Sequence, residues 1–173
     1  SYAHWHVGRL EDLFTGGLDD IKARSLDRFF PLEIAFYERP HGDVTAIPLD
    51  AMFRGRQDIA AMRSDWNDEN AVYVGFKGGD NRANHGHLDI GSFVLDAGGV
   101  RWATDLGSDN YNLPGYFSSQ RWSYYRLNNR SHNTLVVDDK LQNARAISRI
   151  VGFYSSPERA ATVVDMTDAY AGQ

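Results

Sequence analysis

The feature that most constrains this chain is a change of texture near residue 58. From there the sequence breaks into short runs rich in β-branched and aromatic residues, each bounded by Gly, Asp, Asn or Ser. They are "IAAMRSDW", "AVYVGFKGG", "IGSFVLDAGG", "VRWATDLG", "HNTLVVDDK", "ISRIVGFYSS" and "RAATVVDM". Runs this short and this punctuated read as strands of a meander, which closes most simply as an antiparallel β-sandwich. "DAGG" and "VDDK" carry the residues that tight hairpin turns need. A mainly β fold is therefore expected over residues 51–173.

Residues 1–50 read differently. In "GGLDDIKARSLDRFFP", Leu18, Ile21, Leu26, Phe29 and Phe30 recur at helical spacing. Asp19 and Asp20 suit the positive end of a helix, and Pro31 stops it. The Pro- and Gly-bearing stretch "ERPHGDVTAIPLD" is the expected linker. The opening "SYAHWHVGRLEDLF" lacks the basic start, apolar middle and cleavage site of a signal peptide. Both ends read like the interior of something longer, so a fragment or processed form is expected, with the sandwich truncated at its C-terminus.

Composition excludes several classes. With 173 residues, 42% of them apolar and 13% aromatic, the chain has material for one well-packed domain. A net charge of −5 argues against nucleic acid as a partner. No run approaches the ~18 apolar residues of a membrane span. There is no cysteine, so a metal would have to use His, Asp, Glu or amide oxygen.

The longest irregular stretch is "GSDNYNLPGYFSSQRWSYYRLNNRS". Long loops in compact domains are usually functional. Between Tyr111 and Val137 it has no acidic residue, but it concentrates Arg121, Arg126, Arg130, Tyr111, Tyr116, Tyr124, Tyr125 and Trp122. Guanidinium forks hold carboxylate or sulfate, and aromatic faces cover sugar rings, so the loop suits an anionic sugar. The same residues would equally serve to pack a sandwich rim.

"NHGHLDIGSF" sets His85 and His87 two residues apart. If the segment is a strand, both imidazoles face one side, either as satisfied core histidines or toward a site. Asp105 follows the next strand, and His132 opens "HNTLVVDD". Two imidazoles and one carboxylate make an ordinary zinc shell with an open position. Asp89 reads as a hydrogen-bond acceptor beside the site rather than a ligand. Lys77 and Arg82 belong at the cleft edge. The His4/His6 pair would splay on a helix, and structural roles suit these two and His41.

No phosphate-loop or zinc-protease motif is present. The cupins, which also open a metal site with His-x-His, need a Glu where Ile90, Gly91, Ser92 and Phe93 stand.

The segments "MRSDWNDENAVYVGFKGG", "NHGHLDIGSFVLDAGGVRWATDLG" and "YYRLNNRSHNTLVVDD" resemble the heparinase II/III-like family of polysaccharide lyases, over about residues 55 to 145. The resemblance implies an antiparallel β-sandwich joined to an α/α toroid, of which residues 1–50 would be a remnant. It implies that His87, Asp105 and His132 hold a divalent metal, usually Zn2+. It also implies that His85 faces substrate, and that a tyrosine, among Tyr111, Tyr116, Tyr124 and Tyr125, acts as base or acid. Asn84, Arg121 and Arg126 would bind the substrate. The implied reaction is β-elimination on a uronic-acid-containing polysaccharide, in a bacterial periplasmic or secreted protein. Most of the toroid, with the His and Tyr it supplies, is not in this sequence. The rival expectation is a non-catalytic, metal-stabilised carbohydrate-binding or structural sandwich.

Overall fold

The computed structural model describes residues 48–172. Its strands are β1 (Ala51–Phe53), β2 (Gln57–Arg63), β3 (Tyr73–Asp80), β4 (Phe93–Ala97), β5 (Val100–Ala103), β6 (Ile147–Ser148), β7 (Ile150–Ser155) and β8 (Ala160–Val164). The first five pair antiparallel in chain order, and β6 adds to the end of β3 that β4 leaves free. β7 and β8 form a separate hairpin that packs against β2, with β7 also reaching β3. The fold is mainly β: two antiparallel layers of a sandwich.

Local chemistry explains the joints. The β4–β5 turn is made by Gly98 and Gly99, both in the left-handed region (φ 61° and 72°), which is what "DAGG" requires. At the end of β3, a Cβ on Gly78 would sit 3.1 Å from the Ser148 carbonyl oxygen. Glycine there lets β6 and β7 come close.

The two layers are tied by Asp58 of β2, whose side chain is fully buried. It accepts from the Ile150 amide at 3.1 Å, the Arg149 Nη1 at 3.0 Å and the Gly55 amide at 3.3 Å. Burial alone would push this carboxyl up. The two amide bonds and the Arg149 guanidinium outweigh it and hold the group below the ordinary carboxylate range.

On the other side of the sandwich, Ile90, Ala146 and Ala169 form a small core, with Val164, Met166 and Tyr170 packed on it. The buried Gln142 closes it by binding both backbone groups of Ile90: Oε1 accepts from the amide at 3.2 Å, and Nε2 donates to the carbonyl at 2.9 Å.

Two local expectations change. "HNTLVVDDK" is not a strand: it meets the sheet through one backbone bond, the Phe93 amide to the Asn133 carbonyl at 3.3 Å, and otherwise through its side chains. Asn133 Nδ2 donates to the Phe93 and Thr104 carbonyls, and the Thr134 hydroxyl donates to Ile90. The turn at Asp138 and Asp139 does form (φ 48° and 55°, Lys140 amide to Val137 carbonyl at 2.9 Å), but it joins no strand pair.

The His-x-His segment is not a strand either. Residues 81–92 are a chain of turns between β3 and β4. Gly91 (φ 78°) sits so close to Met166 that a Cβ would lie 2.5 Å from its sulfur. The expected helix and most of the expected linker fall outside the described residues, as do His4, His6 and His41.

Candidate functional site

The site is built on two loops, the β3–β4 turns (81–92) and the long connection from β5 to β6 (104–146). Within the latter, short 3-10 turns span Ser119–Ser123, Tyr125–Leu127 and Asn129–Ser131. Asparagines hold it in shape. Asn128 caps the last turn by accepting from the Arg130 amide, and its Nδ2 donates to the Trp122 and Tyr124 carbonyls. The fully buried Asn129 donates to Lys140 and accepts from the Gln142 amide. The loops are joined where the Leu88 amide donates to the Leu127 carbonyl at 3.0 Å.

His85 and His87 point into different surroundings because the backbone between them is not extended. His85 adopts φ 58°, a left-handed conformation that is uncommon for a residue with a side chain but tolerated by His. It is exposed, and its ring stacks on Tyr111 with centroids 6.0 Å apart and planes 12° apart. The Tyr111 hydroxyl lies 3.3 Å from His85 Nδ1.

His87 turns inward to His132, ring centroids 5.2 Å apart. Ligand atoms of His87, Asp89 and His132 lie within 4.8 Å of one another, close enough to hold one cation. Burial is the main influence lowering the His87 pKa, so its imidazole is neutral and able to donate a lone pair.

Asp105 is on the neighbouring side of the same cluster. Its Oδ2 accepts from His132 Nδ1 at 2.7 Å. Burial pushes this carboxyl up, but the Gly107 amide and His132 outweigh it and hold it below its ordinary value. With Nδ1 engaged, His132 Nε2 is buried and has no hydrogen-bond partner. A buried ring nitrogen without a partner, in a cluster of neutral imidazole and carboxylates, fits a metal ion. Asp89 does act as an acceptor, taking Lys77 Nζ at 2.5 Å, and it also stands at ligand distance. The His-x-His-x-Asp alternation was its signal in the sequence.

The four tyrosines separate. Tyr111 is at His85. Tyr116 is buried under it, ring centroids 4.7 Å apart, and burial raises its pKa. The Tyr124 hydroxyl donates to the Pro114 carbonyl at 2.5 Å. Tyr125 is 60% exposed.

Arg121 Nη2 donates to the Gly86 carbonyl at 2.9 Å, which places its guanidinium beside the His85 turn. Arg126 is occupied as a staple, bonding the Leu106 carbonyl at 3.0 Å and approaching that of Ser108 at 3.4 Å. Asn84 and His85 line an open pocket of about 460 Å3 together with Arg82, Arg121, Trp122 and Arg145. Nothing in the sequence pattern pointed to Arg145. A second cavity, of about 360 Å3 beside Met62, Val74 and Pro157, contains none of these residues.

The described residues form an antiparallel β-sandwich with an exposed histidine–tyrosine couple beside an inner His/Asp cluster. The chain belongs to the Heparinase II/III-like family: the model of its C-terminal domain, "Heparinase II/III-like, C-terminal", matches residues 59–173. Among curated proteins no match was found.

Proposed function

We propose that this chain is the sandwich part of a lyase that cleaves a uronic-acid-containing polysaccharide by β-elimination. The observation that carries the reading is the His85–Tyr111 couple, whose His85 lines a pocket that also bears Asn84 and Arg121.

The proton on C5 of a uronate is weakly acidic because the neighbouring carboxylate carries a full negative charge. Asn84 and Arg121 would bind that carboxylate and offset the charge that develops as the proton leaves. In the tautomer where His85 Nδ1 accepts, it would take the Tyr111 hydroxyl proton, and the phenolate oxygen so formed would take the C5 proton. The electron pair of the C5–H bond becomes the C4–C5 double bond. The C4–O bond breaks, and the leaving oxygen would receive the proton held on His85, which returns both side chains to their starting state. No water is consumed, and one new unsaturated end appears per cut. In the full-length protein an α/α toroid would complete the cleft, and a periplasmic or secreted location would suit a polymeric substrate.

A divalent cation, for which zinc suits the donor set, would supply positive charge that clamps the two loops. His87 and His132 would hold it with one carboxylate. If His132 binds through Nδ1, that carboxylate is Asp105, as the family motif has it. The orphaned Nε2 supports a second arrangement, with Asp89 as the third donor and Asp105 orienting the ring. Metal titration of Asp89→Asn and Asp105→Asn separates them. The direct donor's loss should abolish stoichiometric binding, and the orienting residue's loss should weaken it about 10–100-fold.

The activity is tested by the ultraviolet absorbance of the unsaturated uronate on a panel of uronate polymers, with the full-length parent protein. His85→Ala should lower the rate by about 10²–10⁴-fold while binding persists. Binding without any absorbance gain in the unaltered protein would instead identify a carbohydrate-binding module.

A further inference from the structure

The β7–β8 hairpin is a sheet of two strands, and among the described residues β8 has no neighbour on its outer side. Two strands are marginal as a sheet, and a bare edge is normally shielded by a lysine, a proline or an inward-pointing charge. β8 reads "AATVV" and carries none of these. Its exposed face bears Ala161 and Val163, the latter 56% exposed.

The backbone bonds show which groups of this edge are unclaimed. The Arg159 amide donates to the Ser156 carbonyl and the Asp165 amide to the Arg149 carbonyl, each at 3.3 Å, so the odd-numbered residues turn their amides to the β7 side. Strand alternation then aims the N–H and C=O groups of Ala160, Thr162 and Val164 outward.

The flanks decide what can pair there. Arg159 stands three residues before Thr162, and Asp165 three residues after it. Arg159 lies 5.2 Å from the Tyr154 ring centre and Asp165 accepts from the Thr167 amide, but neither has an ion-pair partner among the described residues. With a second β8 laid antiparallel and Thr162 opposite Thr162, Arg159 of each copy faces Asp165 of the other, and Ala161 faces Val163. Centred one residue either way, Arg159 would face Val163 or Thr167, and the charges would go unmatched. The edge is complementary to itself in one register, and in that register its outward-aimed backbone groups meet.

We propose that β8 pairs antiparallel with β8 of a second copy of this chain about a two-fold axis at Thr162, so that two hairpins become one four-stranded sheet. This surface is separate from the loops that carry His85 and His87, and the proposal is independent of the lyase reading.

Sedimentation velocity on the 173-residue chain tests this between about 1 µM and 1 mM, the range suited to so small an interface. A monomer–dimer equilibrium is expected. Arg159→Asp and Asp165→Arg each set like charges across the axis and should raise the dissociation constant at least about tenfold. The two together restore opposite pairs and should return it to within about threefold of the unaltered chain. Lys140→Glu changes the net charge as much as Arg159→Asp does, away from β8, and should leave it unaltered.

Amide exchange reads the register without any substitution. As dimer comes to predominate, Ala160, Thr162 and Val164 should slow about tenfold, while Ala161 and Val163, already paired with β7, should not change. A chain that stays monomeric throughout would overturn the proposal. So would a dimer weakened as much by Lys140→Glu as by Arg159→Asp, or one whose formation slows exchange only outside β8.

Discussion

The sheet side of the molecule and the loop side are held together in different ways. On the sheet side, backbone ladders run strand to strand, and the buried Asp58 carboxylate joins the layers through two amides and a guanidinium. On the loop side, residues 81–92 and 104–146 have almost no ladder. Their order comes from side chains that bind backbone: Asn128, Asn129, Asn133, Gln142 and Arg126. Every residue assigned a chemical role lies on the loop side. Ladders fix a scaffold cheaply but point side chains in strict alternation. Side-chain ties let His85 and His87, two residues apart, serve two different environments.

The largest expected effect comes from breaking the sheet side. Asp58→Ala strands the buried Ile150 amide and removes one of the two partners of Arg149 Nη1, which keeps the Gly55 carbonyl. It should lower the unfolding free energy by about 3 kcal/mol in a denaturant titration, with all probes losing structure together. The same carboxylate sets an acid limit. Its folded pKa is below the ordinary value, so its contribution is full above about pH 3.9 and disappears as pH falls through the lower folded value. A shallower fall between pH 5 and 2 in Asp58→Asn than in the unaltered protein would confirm the assignment, the remaining fall coming from Asp105 and the other carboxyls held below their ordinary values.

Breaking the inner cluster should cost less and act locally. His87→Ala, or chelation of the unaltered protein, should each lower the melting temperature, by the equivalent of about 2–3 kcal/mol at saturating metal, and not additively. Amide exchange should rise in 81–92 and 104–146 while β2 and β3 stay protected. An unchanged melting temperature in both experiments would remove the metal clamp from the account.

The smallest effect is expected at Asn133→Ala. It deletes donors to Phe93 and Thr104 and should cost about 1 kcal/mol, with exchange rising only beside β4 and β5.

The same contrast explains what could be read in advance. β2, β3, β4, β5, β7 and β8 each fall in a run that sequence texture had marked, because strand alternation and Gly turns are local signals. "HNTLVVDDK" has that texture but is not a strand, since Asn133 and Thr134 spend their side chains on the sheet and leave Leu135 61% exposed. On the site, His87 and His132 lie with ring centroids 5.2 Å apart, a contact between residues 45 positions apart that no local pattern encodes. Tyr111 could not be told from Tyr116, Tyr124 or Tyr125, because only the fold decides which ring meets His85. Arg145 and the staple role of Arg126 carry no sequence period at all.

The left-handed backbone at His85 also limits how this position can change. Conformational strain falls on any side chain placed there, and β-branched residues bear it worst. Glycine, asparagine or aspartate would ease the turn but forfeit the imidazole. Position 85 therefore has a short list of tolerated replacements, and variation of this surface is better spent on Tyr111 and the arginine-lined wall.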